Sequence, residues 1–233
     1  MTQHLAFDIA AVFPNDDPLS EWVVTLAIAM NDLALVHGRR EDEQDAPERA
    51  FYWNRLAISH YTEAALFLFS TRDEERVRQF VDSLDDEARA KYAETLDVFA
   101  EVRGRLFDVR NKATFHYPEL RTRNDEADRP IRDALGMMRN DRGVIRSTIM
   151  RNSRALFADD VVTAIFAREV GGFDRIDEFK ARVATGTTAF ITFARRALAT
   201  HLERSGAAIT EVEPVDPMDP TRGWRNAGEA DAR

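Results

Sequence analysis

The residues best suited to chemistry lie between positions 106 and 118, where the sequence reads LFDVRNKATFHYP. Arg110 and Asn111 are followed, after four intervening residues, by His116. A histidine can take or give a proton near neutral pH, and an arginine can hold two phosphate oxygens while charge builds on them. Together they suit metal-independent cleavage of RNA, in which a base takes the proton of a 2′-hydroxyl. Asn111 would orient either group or bind the ribose.

The chain's one basic stretch surrounds this motif. Residues 103–154 carry 13 basic and 7 acidic side chains, a net charge of +6, whereas the whole chain carries 32 and 41, a net charge of −9. The local field favours an anionic ligand, which makes Arg105, Lys112 and Tyr117 candidate substrate-binding residues. The alternative is that these charges form only a solvated face. The total charge excludes nonspecific nucleic-acid binding over the whole surface.

Two more polar residues are candidates on an earlier predicted helix. His60 and Glu63 are three residues apart and so share one helical face. They are interpreted either as polar groups lining a cleft near His116, or as a buried hydrogen-bonded pair that serves packing. His116 itself continues an apolar stripe, so a buried structural histidine is the alternative to a catalytic one.

The Arg110-Asn111-x4-His116 motif resembles the signature of the HEPN superfamily, and residues 55–63 resemble a helix that flanks it in some members. The similarity spans about residues 50–118, and its specificity lies in Asn111 and the flanking context. The resemblance implies a metal-independent endoribonuclease that leaves a cyclic phosphate, acts on RNA without a cofactor, and belongs to a toxin or phage-defence system. An antitoxin is an implied partner.

The sequence departs from one HEPN pattern. In some HEPN toxins a tyrosine two residues beyond the histidine is modified by a partner nucleotidyltransferase. Here Tyr117 directly follows His116, and Pro118 comes next. A nucleotidyltransferase partner is therefore carried over only as an implication of the resemblance.

Helical geometry adds a prediction about assembly. In an α-helix Arg110 and His116 would be separated by about 9 Å along the axis and about 120° around it. One helix would not bring both groups to one phosphate. We therefore predict a homodimer in which Arg110 of one copy and His116 of the other share a site across a twofold axis.

The rest of the sequence predicts a mainly α fold, an antiparallel helical bundle of HEPN type with additional C-terminal helices. Apolar residues recur at spacings of three and four, and caps and breakers separate the segments. The predicted stripe of the second helix consists of Trp53, Leu56, His60, Ala64 and Phe67. The stripe of the long helix consists of Tyr92, Leu96, Phe99, Val102, Leu106, Val109, Ala113 and His116. The stripe of the last helix consists of Ile176, Phe179, Val183, Phe190, Ala194, Ala197 and His201, with His201 at the edge of the core. Asp17-Pro18, Ser83 with Asp86, and Asp174 are the predicted helix starts, and Gly38 and Gly171-Gly172 the predicted stops. The predicted helices are 17–37, 47–69, 71–84, a long helix that Ser83 opens and that ends near 116, a helix from Pro130, 159–170 and 174–204.

We expect one helical domain over residues 1–204, with a HEPN-like core at 17–118 and C-terminal helices at 130–204. Residues 205–233 read as a disordered tail because Pro, Asp and Gly are frequent there. Residues 143–158 are ambiguous between more helix and a short β-hairpin.

Several function classes are excluded by what the sequence does not contain. It has no cysteine, so disulfides and thiolate chemistry are absent. No phosphate-binding glycine loop, HExxH or GxSxG motif occurs, and the five histidines are scattered. The longest apolar stretch reads as too short and too polar for a membrane span, so we expect a cytoplasmic protein without a membrane partner. A non-catalytic helical module that binds a partner protein or a nucleotide is the alternative function.

Overall fold

The computed structural model describes residues 4–42, 47–114, 130–138 and 156–212. It confirms the mainly α class, since eight α-helices and a two-stranded β-ribbon form in these residues. The α-helices are α1 (Ile9–Val12), α2 (Pro18–Asp42), α3 (Pro47–Thr71), α4 (Glu75–Asp82), α5 (Asp86–Val109), α6 (Pro130–Met137), α7 (Leu156–Val170) and α8 (Ile176–Ser205). A π-helical turn (Arg110–Thr114) continues α5, and a 3-10 turn (Phe173–Arg175) precedes α8.

Helix α2 begins where its capping chemistry predicts. The Asp17 carboxylate accepts hydrogen bonds from the backbone N–H of Ser20 at 3.0 Å and from its hydroxyl at 2.8 Å, and Pro18 takes the first helical position. The predicted end is wrong, because Gly38 lies inside the helix and α2 continues to Asp42. Glycine permits a helix stop but does not impose one, and here the helical hydrogen bonds continue through it.

The start of α5 is shifted from its predicted cap. Asp85 is the N-cap, and its carboxylate accepts from the backbone N–H of Ala88 at 2.8 Å. Ser83 instead ends α4, where its hydroxyl donates to the Phe80 carbonyl and accepts from Arg204 at 2.6 Å. The Ser83 side chain is thus engaged elsewhere and cannot cap α5.

Two antiparallel helix pairs make up the body of the bundle. The start of α2 meets the end of α3 where the Trp22 Nε1–H donates to the Thr71 hydroxyl at 2.9 Å. The end of α8 meets the start of α5 through Arg196, which pairs with Asp85 at 2.8 Å and with Glu87. The predicted apolar stripes of α5 and α8 are buried at their centres, as the sequence indicates.

Helix α3 passes through the centre of the bundle, and its buried arc differs from the predicted one. Of the predicted stripe Trp53, Leu56, His60, Ala64 and Phe67, only Ala64 is fully buried. The buried apolar residues also include Ala57, Ile58, Tyr61, Ala65 and Leu68. Since Ser59 and Thr62 are buried as well, the arc is wider than one apolar stripe, and the polar residues obscure it in the sequence.

Tyr61 of α3 and Gly186 of α8 form a close helix contact in the core. The Tyr61 ring is completely buried, and its hydroxyl donates to the Thr95 carbonyl at 3.3 Å. A Cβ atom on Gly186 of α8 would lie only 2.2 Å from the Tyr61 hydroxyl oxygen. Glycine is therefore required at this position for α8 to pack against α3. Burial also raises the pKa of the Tyr61 phenol, so the hydroxyl stays protonated and available as a donor.

Two glycines end α7 and begin its connection to α8. Gly171 and Gly172 have φ angles of 97° and 141°, which are accessible to glycine and strained for other residues. The predicted cap at Asp174 is wrong, because Asp174 lies within the 3-10 turn and α8 starts at Ile176 without a side-chain cap. Near the other end of α8, His201 lies at the edge of the core, as predicted, with its Nε2 3.0 Å from the Val12 carbonyl.

The chain beyond α8 is ordered further than predicted. Residues 210–212 form strand β2, which pairs antiparallel with strand β1 at residues 4–6. The expected disordered tail therefore cannot begin at residue 205, because backbone hydrogen bonds fix residues 210–212. Its remainder, 213–233, lies outside the described residues. Of the ambiguous segment 143–158, residues 156–158 are helical, which is incompatible with a strand there, and the others are not described.

Helix α2 is long and apolar enough to span a membrane by length and composition alone. The qualifying window is Pro18–Arg39, with a mean hydropathy of 1.5. A third of this window is buried in the protein, and Val23, Leu26 and Leu33 are at most 1% exposed against neighbouring helices. Central helices of bundles pass the same test, so the expectation of a protein without a membrane partner stays a prediction.

Candidate functional site

Arg110 and Asn111 lie where the α-helical geometry of α5 changes to a π-helical turn. Helix α5 buries Val102, Leu106 and Val109 along one face and then widens into the π-helical turn Arg110–Thr114. Such turns are rare and occur frequently at functional sites. The predicted angle of 120° between Arg110 and His116 assumed a regular α-helix, and that assumption is wrong over 110–114.

Arg110 is held against α3 by a carboxylate. Its Nη2 lies 2.6 Å from Oε1 of Glu63, and its Nη1 donates to Oδ1 of Asn111 at 3.3 Å. The Arg110 side chain is 28% exposed to solvent, and Asn111 is exposed. The guanidinium is thus fixed in direction by Glu63 while part of its surface stays accessible to an anion.

His60 is on the same face of α3, one turn before Glu63. The His60 side chain is 31% exposed, and its Nδ1 lies 3.8 Å from the Asp32 carboxylate of α2. Glu63 extends to Arg110. Contacts therefore join Glu63, Arg110 and Asn111, with His60 one turn away on α3, and we call these four residues the Arg110 cluster.

Lys112 belongs to a different group of charges. Its Nζ lies 3.2 Å from Glu169 of α7 and 3.5 Å from Asp108 one turn earlier. The Glu169 side chain is 9% exposed, and Arg168 also pairs with it at 2.5 Å. Arg168 in turn binds Asp133 of α6 at 2.7 Å, so this network connects α6 and α7 to the π-helical turn.

Arg105 is exposed on α5. It lies five positions before Arg110, which corresponds to about 140° around an α-helix axis. Its role in substrate binding stays a prediction.

His116 and Tyr117 lie outside the described residues, as does most of the basic stretch. The predicted catalytic histidine therefore stays a prediction. The same holds for the alternative that it is a buried structural residue.

Sequence reasoning did not identify Asp32 and Glu169 as members of these groups. Glu169 contacts Lys112 across 57 positions of sequence, and Asp32 contacts His60 across 28 positions. No local spacing encodes either contact. Of these carboxylate partners, only Asp108 could be expected from the sequence, because it precedes Lys112 by four positions and residues four apart on a helix are neighbours.

The described cations at the motif are balanced by carboxylates. Arg110 meets Glu63, and Lys112 meets Glu169 and Asp108. An anion that binds at Arg110 would therefore compete with Glu63 for the guanidinium. Across the part of the chain that the structure describes, no group of three or more His, Asp or Glu side chains is arranged to hold a metal ion.

The fold and these charges define a mainly α-helical bundle protein with a charged cluster at a π-helical turn. No protein-family model, curated protein or solved structure matches the sequence.

Proposed function

We propose that the chain is a metal-independent endoribonuclease of HEPN type that acts in a toxin or phage-defence setting. The observation that carries the proposal is the placement of Arg110. The π-helical turn and the Glu63 carboxylate fix a partly exposed guanidinium, next to an exposed Asn111. An orientation fixed before substrate arrives is what electrostatic stabilisation of a phosphate transition state requires.

In this proposal each residue of the motif has one role. Arg110 holds the non-bridging oxygens of the scissile phosphate, and Asn111 binds the ribose or orients the arginine. His116 takes the proton from the 2′-hydroxyl, whose oxygen then attacks the adjacent phosphorus. The bond between the phosphorus and the 5′-oxygen breaks, and the leaving oxygen takes a proton from water. The products are a 2′,3′-cyclic phosphate and a 5′-hydroxyl, and the protonated His116 returns its proton to solvent.

Glu63 has a double effect on this chemistry. It positions Arg110, but it also neutralises part of the positive charge that the phosphate needs. Substituting Glu63 by glutamine keeps a hydrogen-bond acceptor and removes the competing charge. We expect Glu63→Gln to lower KM for RNA, because a phosphate then competes with a neutral amide instead of a carboxylate.

The decisive experiment incubates pure protein with mixed RNA and a chelator. We expect cleavage with cyclic-phosphate ends, and a loss of at least about a hundredfold in His116→Ala and in Arg110→Ala, as for removal of a general base or an oxyanion-stabilising group. Arg78→Ala is the matched control, because Arg78 is an exposed arginine that pairs with Glu75 on α4. Equal cleavage by all four proteins would refute the proposal.

The alternative function is a non-catalytic helical module that binds a partner protein or a nucleotide. The pairing of Arg110 and Lys112 with carboxylates favours it, since such pairs also stabilise the turn without any ligand. A module of this kind would leave RNA intact before and after mutation. Its Arg110→Ala variant would instead lose stability or partner binding.

The assembly and setting are part of the same proposal. A homodimer would let Arg110 of one copy meet His116 of the other, and an antitoxin or a nucleotidyltransferase would restrain the enzyme in the cytoplasm. Mixing inactive Arg110→Ala with inactive His116→Ala tests the shared site. Recovery of activity in the mixture supports it, whereas cleavage by a monomeric wild-type protein would contradict it.

A further inference from the structure

We propose that two copies of this chain associate through the outer face of α2, packed antiparallel against each other. The face is defined by Glu21, Val24, Ile28, Asn31 and Leu35, and it ends at Arg39. It is independent of the proposed nuclease function, because none of these residues belongs to the Arg110 cluster.

The first observation is an apolar stripe left exposed on an otherwise packed helix. Val24, Ile28 and Leu35 are 38%, 58% and 62% exposed. Large apolar side chains in a row on a surface indicate an interaction site when they are contiguous. The opposite face of the same helix is buried against the bundle.

The second observation is the spacing of the stripe. Positions 21, 24, 28, 31 and 35 alternate in steps of three and four, which is the heptad pattern of helices that pack along their length. Asn31 interrupts the apolar residues between Ile28 and Leu35, and a polar residue within such a seam lowers the stability of the pair. The seam is about 27 Å long from residue 21 to residue 39.

The third observation is charge complementarity, which selects a second copy as the occupant. When the helix is placed antiparallel on itself about a point between residues 29 and 30, Val24 meets Leu35 and Ile28 meets Asn31. The same register brings Glu21 of one copy beside Arg39 of the other. Both side chains are exposed, and neither forms an ion pair within the described residues. The seam therefore complements itself in charge at both ends.

Gly38 is consistent with this packing. It faces Glu21 in the same register, and a Cβ on it would meet nothing within 4 Å in the chain itself. The space beside Gly38 lets the Glu21 and Arg39 side chains approach. A seam formed by one helix is small compared with the area of about 800 Å² that each partner of a stable complex buries, so we expect a concentration-dependent dimer.

Sedimentation velocity from about 1 µM to about 300 µM tests the proposal over the range of weak to moderate affinities. We expect the wild type to dimerise within this range. Ile28→Glu should raise the dissociation constant at least about tenfold. Phe173→Glu is the matched control, because Phe173 is a 60% exposed residue outside the seam, and it should not change the constant.

Charge reversal distinguishes the antiparallel arrangement from every other. Glu21→Arg and Arg39→Glu should each weaken the dimer, and the double variant should restore it, because the pair is re-formed with opposite signs. Both positions are exposed, and circular dichroism checks that each variant folds.

The following results would overturn the proposal. They are a wild type that stays monomeric at all concentrations, a double reversal that does not restore association, and a monomer that floats with phosphatidylcholine vesicles through α2. A dimer unchanged by Ile28→Glu would equally place the interface elsewhere.

Discussion

Substituting Gly186 by alanine should destabilise the protein even though alanine is the better helix former. The added Cβ would lie 2.2 Å from the Tyr61 hydroxyl oxygen and 2.4 Å from Cζ. Real Cβ atoms essentially never lie closer than 3.0 Å to such an atom, so the ring or the helix must move. Tyr61 is completely buried and its hydroxyl is hydrogen-bonded to Thr95, so neither can move without loss.

The magnitude follows from three contributions. Overpacking of a core costs about 1–3 kcal/mol, and a displaced hydroxyl that loses its partner costs about 1–3 kcal/mol more. The higher helix propensity of alanine offsets about 1 kcal/mol of this loss in stability. The net loss is therefore about 1–5 kcal/mol, and a loss near the middle of this range lowers Tm by roughly 6–12 °C in a chain of this length.

The matched control is Gly104→Ala on α5. Gly104 is exposed and helical, and a Cβ there would meet nothing within 4 Å. It should gain about 1 kcal/mol. Urea and thermal unfolding, followed by circular dichroism, measure both variants. If Gly186→Ala proves as stable as Gly104→Ala, the packing of Tyr61 described above is refuted. A Tyr61→Leu/Gly186→Ala double variant should be less damaged than the sum of its single variants.

Two more predictions concern a helix cap and a charge network. The hydrogen bond from the Ala88 N–H lowers the pKa of the Asp85 carboxyl below its ordinary value of 3.8. The ionised cap therefore stabilises the fold fully above pH 3.8. This contribution is lost as the pH falls through the folded-state pKa of Asp85. The Tm difference between wild type and Asp85→Asn should accordingly change below about pH 4 and stay constant from pH 5 to pH 7; a pH-independent difference would contradict this. Glu169→Ala should cost about 1–3 kcal/mol in urea unfolding, because Lys112 and Arg168 lose a shared partner and regain only part of their hydration. Glu178→Ala is the control, because it removes only the exposed ion pair with Arg175. It should lower the free energy of unfolding by less than about 1 kcal/mol. Equal losses in the two variants would mean that the Glu169 network contributes no more than a surface ion pair.

The elements that sequence reasoning located correctly are those with local chemistry. Asp17 with Pro18, Pro47, and the Gly171-Gly172 pair act on their own turn of backbone, so neighbouring residues suffice to place them. The long apolar stripes of α5 and α8 were predicted because each helix buries a single face.

The predictions that failed depend on neighbours distant in sequence. Gly38 did not stop α2, and Ser83 did not cap α5 because Arg204 engages its hydroxyl from α8. The buried arc of α3 was misjudged because α3 contacts several helices at once. Gly186 gave no signal in the sequence, since its requirement comes from the Tyr61 ring of another helix.

For the candidate site, the sequence predicted residue types and order but not their partners. Arg110 and Asn111 were singled out by type and spacing, and His60 and Glu63 by sharing a helical face. That Glu63 binds Arg110 depends on how α3 lies beside the π-helical turn, which nothing within either segment specifies. Arg105 was grouped with Arg110 by proximity in sequence, and its role in substrate binding stays a prediction.

The ribbon of β1 and β2 also determines how the protein responds to a pulling force. His4 pairs with Val212 and Ala6 with Thr210, so handles attached before residue 4 and after residue 212 leave from the same end of the ribbon. Tension between them breaks the paired residues of the two strands one pair after another from that end, instead of loading all pairs at once. The ribbon should therefore peel open at low load, and only then would the helices bear the tension.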